Sequence, residues 1–201
     1  MFVAVEDSIC LQQKNGSKCS HHNVVVVADT VKRLLDSGLN PNDLMIISFY
    51  NESVMLIKRL LALRKISVEV ELASVDSSQG REKLVVIIST TANREQPLGL
   101  LRKVNRLNVA MTRAREGRIV ISHKRICQDI VFNKMASGIW LQDFARTHIA
   151  DKQTKFITVG RRLLEHETFF TPDRYEIVSR VKPAPGEKAK CASTIYNTLR
   201  C

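Results

Sequence analysis

Short apolar runs that alternate with helix-period segments make this chain an α/β domain with a parallel sheet covered by helices on both faces. The runs Leu44 to Phe49, Leu84 to Ser89 and Arg118 to Ser122 are compact and buried in character, and amphipathic stretches separate them. A second observation points the same way. Two polar islands, Ser74 to Lys83 and Arg106 to Arg115, sit against apolar runs, at strand ends where α/β proteins meet ligands.

Taken in order, residues 1–22 carry no periodicity and are expected to be irregular, with a turn at Lys14-Asn15-Gly16-Ser17. Val27, Val31, Leu34 and Leu35 predict a helix over about 27–37 closed by Gly38 in the C′ position. A turn at Asn40 to Asp43 leads into a strand over 44–49. Asn51 is expected to cap a helix running to about Leu63, with Val54, Ile57, Leu60 and Leu61 inward. Strands follow near 67–72 and 84–89, then a polar loop over 91–99. A helix over about 102–116, ended by Gly117, precedes a strand over 118–122, and short helices are expected near 126–135 and 139–147. The core domain is thus placed at 23–149. The remainder, 150–201, with Pro172, Pro183, Pro185 and Gly186 among basic residues, reads as an extension that is partly disordered.

Lys and Arg number 31 against 20 Asp and Glu, for a formal charge of +11 in 201 residues. Such an excess favours a polyanionic partner, because neutralising phosphates is the main sequence-independent term in nucleic-acid binding. The charge is concentrated: Arg102, Lys103, Arg106, Arg113, Arg115 and Arg118 stand against Glu116 alone. The five cysteines follow no disulfide framework, which suits a reducing compartment. Cys19, His21 and His22 lack a second ligand pair, so no metal site is assigned. No signal peptide and no membrane-length apolar run is visible, and the expected location is intracellular, in cytoplasm or nucleus.

The islands Ser74-Val75-Asp76-Ser77-Ser78-Gln79-Gly80-Arg81-Glu82 and Arg106-Leu107-Asn108-Val109-Ala110-Met111-Thr112-Arg113-Ala114-Arg115 resemble motifs V and VI of superfamily 1 helicases, in the branch that includes the RNA helicase of nonsense-mediated decay. The resemblance spans roughly residues 15–150 and implies the second RecA-like domain, a fold of the P-loop NTPase type. By that match Glu82 contacts the ribose of ATP, Gly80 lets backbone approach the nucleotide, and Ser74, Ser77 and Gln79 lie toward a single strand. Arg113 becomes the catalytic arginine finger and Arg106 a second phosphate-side arginine. Both are expected on one helix whose buried stripe is Val104, Leu107, Met111 and Ala114, with Arg115 at the helix end. Tyr50, after a motif IV-like strand, would stack on adenine, although Phe49, Ser53 and Ser78 depart from the family pattern.

No Gly-x-x-x-x-Gly-Lys-Ser/Thr phosphate loop occurs in these residues, so the β- and γ-phosphates and Mg²⁺ would be held by a first RecA-like domain in cis. The expected function is the C-terminal motor domain of an ATP-dependent helicase on single-stranded nucleic acid, with RNA ahead of DNA and no membrane partner. The alternative is a non-catalytic nucleic-acid-binding or regulatory module derived from one.

Overall fold

The computed structural model describes residues 1–5, 10–13, 15–66, 69–91 and 99–123, together with two later strands. Strand β1 is Phe2–Val5, and β2 (Leu11–Gln13) and β3 (Lys18–Cys19) form a hairpin. Then come α1 (His21–Asp36), β4 (Leu44–Ser48), α2 (Asn51–Leu63), β5 (Glu71–Ser74), β6 (Lys83–Ser89), α3 (Val104–Met111) and β7 (Ala114–His123). Strands β8 (Thr154–Ile157) and β9 (Tyr175–Ile177) complete the order. Six strands form one wholly parallel sheet in the order β5-β4-β6-β7-β1-β8. Strands β3, β2 and β9 pair antiparallel in a small second sheet. The α/β, RecA-like architecture expected from the sequence is present.

Alternation along the strands makes two cores. Val3, Val5, Leu44, Ile46, Ile87, Ile119 and Ile121 face α1 and α2. Phe2, Ala4, Met45, Ile47, Val86, Ile88 and Val120 face the other way, against Leu107, Ala110 and Met111 of α3 and Val75 of the β5–β6 crossover.

The structure departs from the sequence reading in several places. Phe2–Val5, within the segment expected to be irregular, is a fully buried strand between β7 and β8. Four apolar residues followed by Glu6 and Asp7 carry no period to detect. Helix α1 begins at His21 rather than near Val27, with Ser20 as N-cap accepting from the Asn23 N–H. Residues His21 to Ala28 are all buried, so this part of the helix shows no polar face. Tyr50, not Asn51, holds the N-cap position of α2, and it makes no side-chain capping bond. Ser53 is buried in that helix and donates to the Lys18 carbonyl at 3.2 Å, while Val54 is only partly buried.

The largest difference is at the second motif. The helix ends at Met111, and Arg113 and Arg115 lie beyond it. Thr112 Oγ1 donates to the Asn108 and Val109 carbonyls at 2.9 and 3.2 Å, and Arg113 Nε donates to Val109 O at 2.8 Å. Side chains thereby satisfy the last-turn carbonyls and let the chain leave for a central strand. Val104, expected in the core, is 39% exposed, and Ala110 takes its place. Gly117 lies in β7, where a Cβ would approach Val85 to 3.1 Å. Strand β5 begins at Glu71, and residues 67–68, most of the 91–99 loop and the helices expected at 126–135 and 139–147 fall outside the described residues. So does the domain boundary at 149, although β8, beyond it, joins the main sheet.

Candidate nucleotide and nucleic-acid site

Because every strand of the main sheet runs the same way, the sheet has a carboxyl edge and an amino edge. Strands β4 and β5 end at the carboxyl edge at Ser48 and Ser74, and residues 75–82 carry the chain back to the amino edge, where Lys83 opens β6. Helix α3 makes the same journey before Ala114 opens β7 beside Lys83. The motif residues are therefore divided between two edges.

At the carboxyl edge the turn after β5 is tied by its own hydroxyls. Ser77 Oγ accepts from the Ser74 N–H at 2.9 Å and lies 3.0 Å from Ser74 Oγ, which accepts from the Ser77 N–H at 3.2 Å. Ser78 is buried and donates to Val75 O at 2.8 Å, and Val75 N–H donates to Ser48 O at 3.0 Å, fastening the turn to β4. Asp76, at the tip, accepts both arms of the Arg106 fork at 2.9 and 2.8 Å. Tyr50 packs against the α3-side core, and its hydroxyl accepts the Leu100 N–H at 3.1 Å. Burial pushes its phenol pKa up, opposed by that N–H, so the ring stays neutral.

The crossover then turns sharply. Gln79 (φ −60°, ψ 132°) and Gly80 (φ 79°) take the angles of a type II turn closed by Arg81 N–H to Ser78 O at 3.1 Å. A Cβ on Gly80 would meet nothing within 4 Å, so glycine is required by its positive φ, not by crowding. At the amino edge Arg81 pairs with Glu71 at 2.7 Å and donates to the Ser77 carbonyl. Lys83 Nζ reaches Glu71 at 3.4 Å and Asn42 O at 2.6 Å.

Arg113 joins the two motifs here. Its Nη1 donates to Arg81 O at 3.4 Å, its Nη2 to Thr112 Oγ1 at 2.9 Å, and its own carbonyl accepts the Lys83 N–H at 3.1 Å. Glu82, between two residues bonded to Arg113, is exposed with its carboxylate 3.4 Å from Arg115 Nε. Arg115 is thus a strand residue paired with Glu82, not a helix-end cation.

The structure brings Gly80, Glu82 and Arg113 together at one edge and Tyr50, Ser74, Ser77 and Arg106 toward the other, with exposed Gln79 between. Arg106 lies in the first turn of α3 and Arg113 two residues past its end, about 10 Å apart along the helix direction. The sequence reading missed the ties that arrange these groups: Asp76 to Arg106, Glu71 to Arg81, and Arg113 to the Arg81 carbonyl. No spacing rule relates residues thirty positions apart, although the opposite charges of Asp76 and Arg106 were visible. Among the described residues no three His, Cys, Asp or Glu side chains gather as a metal site, and no helix is long and apolar enough to cross a membrane.

A family described as AAA domain matches residues 1–125. The chain belongs to that family. DNA polymerase alpha-associated DNA helicase A of Schizosaccharomyces pombe is 39% identical over 106 residues, 52% of this chain and 16% of that protein. ATP-dependent helicase NAM7 of Saccharomyces cerevisiae is 34% identical over 101 residues, 47% of this chain and 10% of that protein. The Regulator of nonsense transcripts 1 homolog of Drosophila melanogaster is 33% identical over 120 residues, 55% of this chain and 10% of that protein. This AAA domain is a helicase-family domain, as its motifs imply, and it spans a sixth or less of the length of these relatives. The family match begins at residue 1, in keeping with β1 lying inside the sheet.

Proposed function

We propose that the chain is the second motor domain of an ATP-dependent helicase acting on single-stranded nucleic acid, RNA ahead of DNA, in nucleus or cytoplasm. The observation that carries the reading is the junction at Arg113, where the guanidinium and the exposed Glu82 carboxylate share one edge of the sheet. These two groups suit the two ends of a nucleoside triphosphate. A carboxylate accepts from ribose hydroxyls, and a guanidinium fork suits phosphate oxygens. Hydrolysis of ATP supplies the free energy for movement along the strand. A first domain in the complete protein holds the β- and γ-phosphates and Mg²⁺, and closes on this edge.

Arg113 acts as the finger by leaving Val109 O and Thr112 Oγ1 and turning its fork toward the γ-phosphate. Its bonds to neutral acceptors are readily exchanged for a charge-assisted pair with phosphate. At the carboxyl edge Ser74, Ser77 and Gln79 offer donors to the strand backbone.

The test is steady-state ATPase of the complete protein with saturating single strand. Arg113→Ala should lower turnover about 10³-fold or more, because the guanidinium acts chiefly on charge in the transition state. ATP binding should weaken only modestly. Lys32→Ala, which removes an exposed i,i+4 pair with Asp36 on α1, is the control and should change neither. Undiminished turnover in Arg113→Ala would remove the finger from this residue.

A further inference from the structure

We propose that Arg106 is a positioning residue, and that its fork on Asp76 ties the strand-facing turn to the helix leading to Arg113. The proposal rests on the helicase reading above and gives that site its means of coupling strand to nucleotide.

The crossover 75–82 and α3 run side by side from the carboxyl to the amino edge of the sheet. They are joined at both ends. At the carboxyl edge Arg106 grips Asp76 with Nε at 2.9 Å and Nη2 at 2.8 Å, a two-point contact that fixes orientation as well as distance. At the amino edge Arg113 Nη1 meets Arg81 O at 3.4 Å, and Lys83 N–H meets Arg113 O at 3.1 Å. Between these ties both segments are anchored in one core, through Val75 on the crossover and Leu107, Ala110 and Met111 on the helix. A strand that pulls on Ser74 or Ser77 therefore moves Asp76. Asp76 moves Arg106, and α3, too short and too well packed to bend, passes the displacement to Arg113.

The same geometry argues against a phosphate role for Arg106. Both arms of its fork are already on a carboxylate, and α3 holds it away from Glu82 and Arg113. As a pair with Asp76 65% exposed, the bridge adds little to stability, so its loss leaves the fold in place.

In the complete protein, ATPase with and without saturating single-stranded oligonucleotide, the KM for ATP and the melting temperature decide the matter. Asp76→Asn should leave the strand-free rate and KM within about twofold while strand stimulation falls about tenfold, a size usual for coupling between sites. Arg106→Gln should lose the same stimulation. The double variant should be no worse than either single, because both remove one contact. The charge-swapped pair Asp76→Arg with Arg106→Asp should recover part of the stimulation. The proposal is overturned if Arg106→Gln raises KM while Asp76→Asn does not, since Arg106 would then be a nucleotide ligand. Losses that multiply in the double variant, or stimulation intact in both singles, also overturn it. An unaltered complete protein with no strand-stimulated ATPase would instead bring down the helicase reading, and this proposal with it.

Discussion

Arg113 is held by Val109 O, Thr112 Oγ1 and Arg81 O, and Glu82 by Arg115, so each proposed nucleotide contact has a resting partner within this chain. Glu82 and Arg113 could be singled out in the sequence because they stand inside motifs that resemble those of a helicase family. Their resting partners were not legible, since main-chain carbonyls such as Arg81 O have no signature. A different residue, His21, sets a pH limit. It opens α1, is 8% exposed, and burial, aided by neighbouring His22, pushes its pKa from 6.5 down to about 3. The unfolded chain therefore binds a proton at this residue between those values and the folded chain does not. Stability is full above about pH 6.5 and falls toward pH 3, at up to about 1.4 kcal/mol per pH unit. Urea melts at pH 7.5, 6 and 5 should show a shallower decline for His21→Gln than for the parent, and parallel declines would refute the assignment.

Elements were read well where a wet helix face or a flanking turn marks them. Helix α2 and strands β4 and β6 lie within a residue or two of expectation, because amphipathic period or flanking turns mark them. Reading failed where burial is complete and no turn precedes the element: β1 has four buried residues at the head of the chain, and the first turns of α1 have no polar stripe. It failed again at α3, where Thr112 and Arg113 stop a helix that composition would have continued. The helix ends can be tested. Helix α1 closes with Gly38 N–H to Leu35 O at 2.9 Å and Leu39 N–H to Leu34 O at 3.1 Å, with Gly38 at φ 95°. Helix α2 closes identically through Lys65 and Ile66, at 3.1 and 2.9 Å, but Lys65 carries the left-handed conformation at φ 53°. A side chain there costs strain that glycine avoids, partly offset by glycine's freer unfolded state. Lys65→Gly should stabilise the chain by about 0.5–1 kcal/mol in denaturant melts, and Gly38→Ala should destabilise it by a similar amount. A loss of stability in Lys65→Gly would show that the capping geometry is not as described.

At the scale of the whole molecule, the count of Lys and Arg overstates the free cations offered to a polyanion. The chain carries 31 Lys and Arg, yet Arg81 and Lys83 lean on Glu71, Arg106 is forked on Asp76, and Arg115 meets Glu82. Of the basic cluster visible in the sequence, Arg106 and Arg115 are therefore engaged by carboxylates where the site is built. A strand bound by hydroxyls, main-chain donors and a few unpaired cations should release few counterions. For a single strand each neutralised phosphate contributes a slope of about −0.7 in log K against log salt. The 201-residue chain should therefore bind a single-stranded oligonucleotide weakly, with a slope of about −1.5 to −3, far below what 31 cations alone suggest. Titrations by fluorescence anisotropy between about 50 and 200 mM salt measure it. A slope near zero would mean the strand does not meet this surface through phosphates. A slope beyond about −6 would mean that the ion pairs open on binding and that the cations of both motifs reach the strand. Arg106→Gln separates these cases: with the Asp76 pair intact in the complex, the slope stays the same, and with the pair broken it falls by about one contact.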